Sequence, residues 1–178
     1  MEVPAPEGRS LPAGYRFERF ADGAVDGDRV TRLWTSEGAL SEEEARARVT
    51  DVVLVAVGPG DEVVAVSTAW LQENEYLEMP LWNYRTFVSQ AHRGGDIAFL
   101  LLHATRDELA ARYADGADTR ASGILMEVQN EILKKHRAQG VWATSRFAFI
   151  GEDDRGAHHR VYYFPGAAAP VRSSRVRA

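Results

Sequence analysis

Two short stretches carry residues whose types and spacing suit chemistry. In His92-Arg93-Gly94-Gly95-Asp96-Ile97-Ala98-Phe99, a cation and two glycines stand directly before the apolar run FLLL. Glycine has no side chain to keep a ligand off the backbone. The first N–H groups of a helix lack intrahelical partners and carry partial positive charge. A loop of this kind, opening a helix, can cradle a phosphate-like anion, with Arg93 adding a cation. The same letters also spell a plain G-G turn with Asp96 as helix cap. The second stretch is GILMEV (123–128), an apolar run broken by one charge, Glu127. A carboxylate there is paired, faces a cavity or has its proton affinity raised, and it is the candidate general base. A strand-end Glu, solvated or bound to an Arg, is the bland alternative.

These residues need a scaffold to position them. A chain of 178 residues suits one domain with a sizeable core, and 45% hydrophobic residues argue against general disorder. A net charge of −5 offers no basic stripe for nucleic acid. Absence of cysteine excludes a disulfide framework, a thiol nucleophile and a thiolate metal site. His158 and His159 are adjacent on an expected strand and so point to opposite faces; with no H-E-x-x-H spacing, no metal is expected. No apolar run approaches the roughly 20 residues of a membrane span, and MEVPAPEGRSLPAG has no signal-peptide h-region. The expectation is a cytoplasmic protein with no membrane partner.

Residues 1–14 read as a flexible lead, 15–165 as a single domain and 166–178 as a flexible basic tail. Alternation in YRFERF predicts a strand over 15–20, and Val30, Leu33 and Trp34 a helix over 28–39. Ser41 with Glu44 is a capping-box pattern opening a second helix. VVLVAV (52–57), GPGDE and VVAVSTAWL (63–71) predict a hairpin, and WNYRTFV (82–88) a further strand. A long helix over 97–113, the strand 123–128, a helix from Asn130 to Gln139 ended by Gly140, and strands 141–150 and 158–164 complete the chain. The long helix joining 82–88 to 123–128 implies a right-handed parallel crossover. The class is therefore α+β, a mostly antiparallel sheet with one parallel crossover junction, flanked by helices.

That order of elements, with F-V-S-Q-A-H-R-G-G-D-I-A after the fourth strand, resembles the GNAT family of N-acetyltransferases. The family carries R/Q-x-x-G-x-G/A at this point. Arg93 takes the first position, Ile97 the apolar one and Ala98 the last. Asp96 departs from the pattern by standing at the central Gly, with Gly95 one place earlier. The resemblance in element order runs over roughly residues 15–164, while the specific motif is these few residues.

The resemblance implies a GNAT-like fold binding acetyl-CoA, with Arg93, Gly94, Gly95, Asp96, Ile97 and Ala98 around its pyrophosphate. It places Phe87, Val88 and Ser89 along its pantetheine and Asn130 at the next helix. Val88 N–H becomes the oxyanion-type donor and Glu127 the base. The family often has a Tyr as general acid in the helix after Glu127; KKHRAQ has none, and His136 falls nearest, with Tyr162 and Tyr163 as remote alternatives. The acceptor is expected between the first helices, the loop 72–81 and the last hairpin. Glu73, Glu75 and Glu78 would favour a cationic amine there, and Trp70, Tyr76 and Trp82 could line the pocket. Trp34 and Trp142 are expected in the core.

The function expected is transfer of an acetyl group from acetyl-CoA to a primary amine of a small molecule by direct attack on the thioester. A protein amino group is the second choice of acceptor. The alternatives are a non-catalytic acyl-CoA-binding module of the same fold, or a structural α+β domain. The apolar strand VYYF is compatible with a homodimer.

Overall fold

In the computed structural model, which describes residues 8–168, seven strands form one sheet. Along the chain come β1 (Arg16–Arg19), α1 (Gly27–Ser36), α2 (Glu42–Arg48), β2 (Val52–Val57), β3 (Val63–Asn74) and β4 (Met79–Val88). They are followed by α3 (Ile97–Ala114), β5 (Gly123–Val128), α4 (Glu131–His136), β6 (Ala148–Glu152) and β7 (His158–Tyr163). The spatial order is β1-β2-β3-β4-β5-β7-β6. Every neighbouring pair is antiparallel except β4 and β5, which α3 joins as a parallel crossover.

Local signals set most of these elements. Asp26 caps α1 by accepting from Arg29 N–H at 2.8 Å, and the Ser41–Glu44 capping box is complete in α2. Val30, Leu33 and Trp34 of α1 and Ala45 of α2 pack on Val55, Val57 and Val66, covering one face of the sheet. The 18-residue α3 covers the other, packing Ile97, Leu101 and Leu109 against Trp82, Tyr84 and Ile124. Past α2 the first face continues as Met79, Leu81, Leu125 and Val161. Gly123 opens β5 where a Cβ would lie 2.3 Å from the Tyr162 carbonyl oxygen, so β5 and β7 meet backbone to backbone.

The helix expected over 28–39 ends at Ser36, and three further segments differ from their expected form. The loop over 72–81 is instead mostly paired: Gln72 faces Leu81, Glu73 faces Pro80 and Asn74 faces Met79, leaving a tight turn closed by Leu77 N–H donating to Asn74 Oδ1. Met79 and Leu81 are fully buried, and that burial extends the hairpin despite the surrounding glutamates. Helix α4 stops at His136 rather than near Gln139. The Arg137 carbonyl accepts from Trp142 Nε1 at 2.8 Å and from Arg160 Nη2 at 3.2 Å, and these bonds turn the chain away. Arg160 is itself buried, stacked 4.2 Å from the Trp142 ring centre, and burial lowers its proton affinity. Finally, 141–147 is a tight turn, with Arg146 in left-handed backbone (φ 62°) and Trp142 and Phe147 buried, so β6 begins only at Ala148.

The expected lead before residue 8 and tail after residue 168 lie outside the described residues. Of the described part of the lead, Leu11 packs on the α3-side core and Arg9 bonds to Asp96. No described helix is long and apolar enough to cross a membrane.

Candidate active site

Strands β4 and β5 pair over Trp82–Ile124, Asn83–Leu125 and Tyr84–Met126, and then separate. Which backbone groups face the opening follows from the other edge of β4. Ser89 N–H donates to Val64 O of β3 at 2.8 Å, and antiparallel pairing alternates, so Phe87 and Arg85 also turn their backbone toward β3. Thr86 and Val88 turn theirs toward the gap. The Val88 carbonyl accepts from Arg93 Nε at 2.9 Å, which ties the following loop back onto the strand.

That loop runs from Ser89 to Asp96. Gln90 N–H donates to the Glu37 carboxylate, and Tyr15 Oη bonds His92 Nδ1 at 2.8 Å. Gly94 takes left-handed backbone (φ 89°), which a side chain would strain, and a Cβ on Gly95 would meet nothing within 4 Å. At the start of α3, Asp96 makes no side-chain bond to the helix, so the first-turn N–H groups have no side-chain acceptor there.

Gap and helix start open into one cavity of about 540 Å³, within the range of small-molecule sites. Gly95, Ala98 and Phe99 line one side, Thr86 and Glu127 the strand edges, and Leu133 and Trp142 the far wall. The Ser145 hydroxyl, in a residue 3% exposed on this cavity, has no hydrogen-bond partner among the described residues. Tyr84 also lines it, sharing a hydroxyl–hydroxyl hydrogen bond with Thr86. Burial pushes its phenol well above the ordinary value, so it stays protonated. Glu127 projects from the end of β5. Its carboxylate accepts from Arg85 Nη2 at 2.9 Å, with Arg155 Nη2 at 4.0 Å, so the ion pair spans β4 and β5 one residue past their last backbone pair.

No family model matches the chain, and no curated protein matches it by sequence. Solved structures do match. An acetyltransferase of the GNAT family from Streptococcus pneumoniae is 9% identical with a TM-score of 0.58, covering 85% of this chain and 99% of its own. The structure of yncA from Salmonella typhimurium with its cofactor acetyl-CoA is 12% identical with a TM-score of 0.55, covering 90% and 99%. A ribosomal-protein-S5-alanine acetyltransferase from Vibrio fischeri is 10% identical with a TM-score of 0.55, covering 89% and 98%.

The fold is that of the GNAT acetyltransferases.

Within this GNAT fold, the residues singled out in the sequence fall into two groups. Gly95, Asp96, Ala98, Glu127 and Asn130 line the cavity, Asn130 also capping α4 through Leu133 N–H at 3.0 Å. Val88 borders the gap through its backbone. The rest lie off it. Ile97 is a core residue, and Phe87 packs on the α1 side with the Arg93 guanidinium 5.7 Å from its ring. Ser89 is committed to β3. His136 is exposed at the end of α4 and does not line the cavity. The three aromatic residues expected around the acceptor are dispersed. Trp82 is buried on the α3 side, Tyr76 is 77% exposed at the hairpin turn, and Trp70 has the Arg48 and Arg85 guanidiniums within 6 Å of its ring. Among the described residues, no three His, Asp or Glu side chains gather as metal ligands would.

Sequence reasoning missed Arg9, Tyr84, Thr86, Arg137 and Ser145, all of which line the cavity. Thr86 was within reach, since it lies two residues before Val88 and alternation puts both on the same edge. The others carry no local signal.

Proposed function

We propose that this protein is an acetyl-CoA-dependent N-acetyltransferase acting on a primary amine of a small molecule, with a protein amino group as the second choice of acceptor. The observation that carries this reading is the parting of β4 from β5 directly onto the start of α3, through a single cavity with an unpartnered buried hydroxyl. A long ligand with amides at one end and phosphates at the other fits that combination of strand edge and helix start. Acetyl-CoA supplies an activated thioester to such a site, and yncA is a neighbour determined with it.

In this reading, Gly94, Gly95 and the first-turn N–H groups of α3 hold the phosphates. Thr86 pairs with a pantetheine amide as a strand would. Val88 N–H stabilises negative charge building on the thioester oxygen during attack. Glu127 takes the proton of the amine, directly or through water. We assign to Tyr84, a phenol held neutral in the cavity, the hydrogen bond that steadies the departing thiolate, in place of the exposed His136, and the thiolate takes its proton from solvent.

Calorimetric titration tests the reading at its root. Acetyl-CoA should bind the wild type and fail to bind Gly95→Glu, which has open space for its side chain and so should remain folded. Absence of wild-type binding at millimolar ligand would reject the proposal. Binding without thiol release across a broad amine panel would leave a non-catalytic acyl-CoA-binding module.

A further inference from the structure

Asp96 occupies the N-cap of α3, where an aspartate ordinarily accepts from the first-turn N–H groups. Its side chain accepts nothing from the helix, although its carbonyl accepts from Leu100 N–H at 2.8 Å. Its Oδ1 instead takes a hydrogen bond from Arg9 Nη1 at 2.6 Å, across 87 positions of sequence. Asp26, Ser41 and Asn130, by contrast, each accept from the helix they begin. Arg9 is held from a second direction, its guanidinium lying 4.6 Å from the centre of the Phe99 ring in the first turn of α3. Both members of the pair line the cavity that contains the unpartnered Ser145 hydroxyl.

We infer that Arg9 is a positioning residue of the phosphate site, holding Asp96 off the start of α3 and cancelling its charge. This rests on the reading that the phosphates of acetyl-CoA bind at that helix start. A free Asp96 carboxylate would oppose them twice. It would compete for the N–H donors the phosphates need, and it would set a like charge beside them. Drawn to Arg9, it does neither, and the departure of Asp96 from a glycine becomes compatible with anion binding. The side chains are 36% and 44% exposed, so the pair contributes little to folding and its effect falls on the ligand. Arg137, with its guanidinium 5.7 Å from the same Phe99 ring, adds a second cation at the mouth.

A double-mutant cycle, with Arg9→Lys beside it, tests this by titration with acetyl-CoA, with thermal unfolding as the control for folding. Arg9→Ala should weaken binding about tenfold, the size expected for an uncompensated like charge at close range in a solvent-exposed site. Asp96→Ala should bind at least as well as wild type. The double variant should return to within about threefold of Asp96→Ala, and Arg9→Lys should keep most of the affinity. Unchanged binding by Arg9→Ala overturns the inference alone, with acetyl-CoA binding intact. A double variant as weak as Arg9→Ala also overturns it, because Arg9 would then grip the phosphates itself. Failure of the wild type to bind acetyl-CoA overturns this inference together with the functional reading.

Discussion

Glu127 and Tyr84 sit on either side of the point where β4 and β5 part, and they differ in what holds them. Arg85 fixes the Glu127 carboxylate from across the opening, whereas Tyr84 is enclosed by the core and reaches Thr86. Glu127→Gln keeps a carbonyl for Arg85 to bond, so acetyl-CoA affinity should be unchanged while kcat falls by about 10²-fold or more, the range for loss of a general base. Tyr84→Phe should likewise spare binding and lower kcat. Steady-state kinetics beside calorimetry separates the two effects, and unchanged turnover in either variant removes that residue from the mechanism. Glu127 was legible in the sequence because one charge inside GILMEV stands out by composition. Tyr84 was not, since an aromatic residue in a strand is ordinary. Arg9 was not either, because its partner lies 87 residues away and only the fold brings them together.

At the scale of elements, periodicity was a good guide wherever local pattern and tertiary packing agreed. The complete capping box of α2, the limits of β5 and the long α3 all follow from short-range rules. The guide failed where distant contacts decided the backbone. Burial of Met79 and Leu81 drew an acidic stretch into the β3–β4 hairpin, and the Arg160 and Trp142 bonds to Arg137 ended α4 early. Gly123 is a further case, since its role is set by β7, some forty residues later. Its missing Cβ lets the Tyr162 carbonyl approach, and the contact atom is backbone rather than a movable side chain. Gly123→Ala should therefore cost about 1–3 kcal/mol, the usual range for forcing a methyl into a filled space. Thermal or urea unfolding measures it, and a stability within a few tenths of wild type would contradict so close an approach.

For the molecule as a whole, one consequence of the β4–β5 junction concerns its mechanics. Among the described residues, three residue pairs, Trp82–Ile124, Asn83–Leu125 and Tyr84–Met126, with one backbone bond from Ser122 N–H to Pro80 O before them, join the four-stranded block β1–β4 to the three-stranded block β5, β7 and β6. The sheet thus has a seam, and the cavity lies at its open end. A ligand lying along Thr86 and Val88 would serve as a short extra strand, stitching the seam further up. Saturating acetyl-CoA should then slow hydrogen exchange of the Thr86 and Val88 amides, and with them the amides of β5, well away from the phosphates. Protection confined to the start of α3 would mean that only the phosphate end is gripped. A seam fastened in this way would make the ligand a part of the protein's architecture for as long as it stays bound.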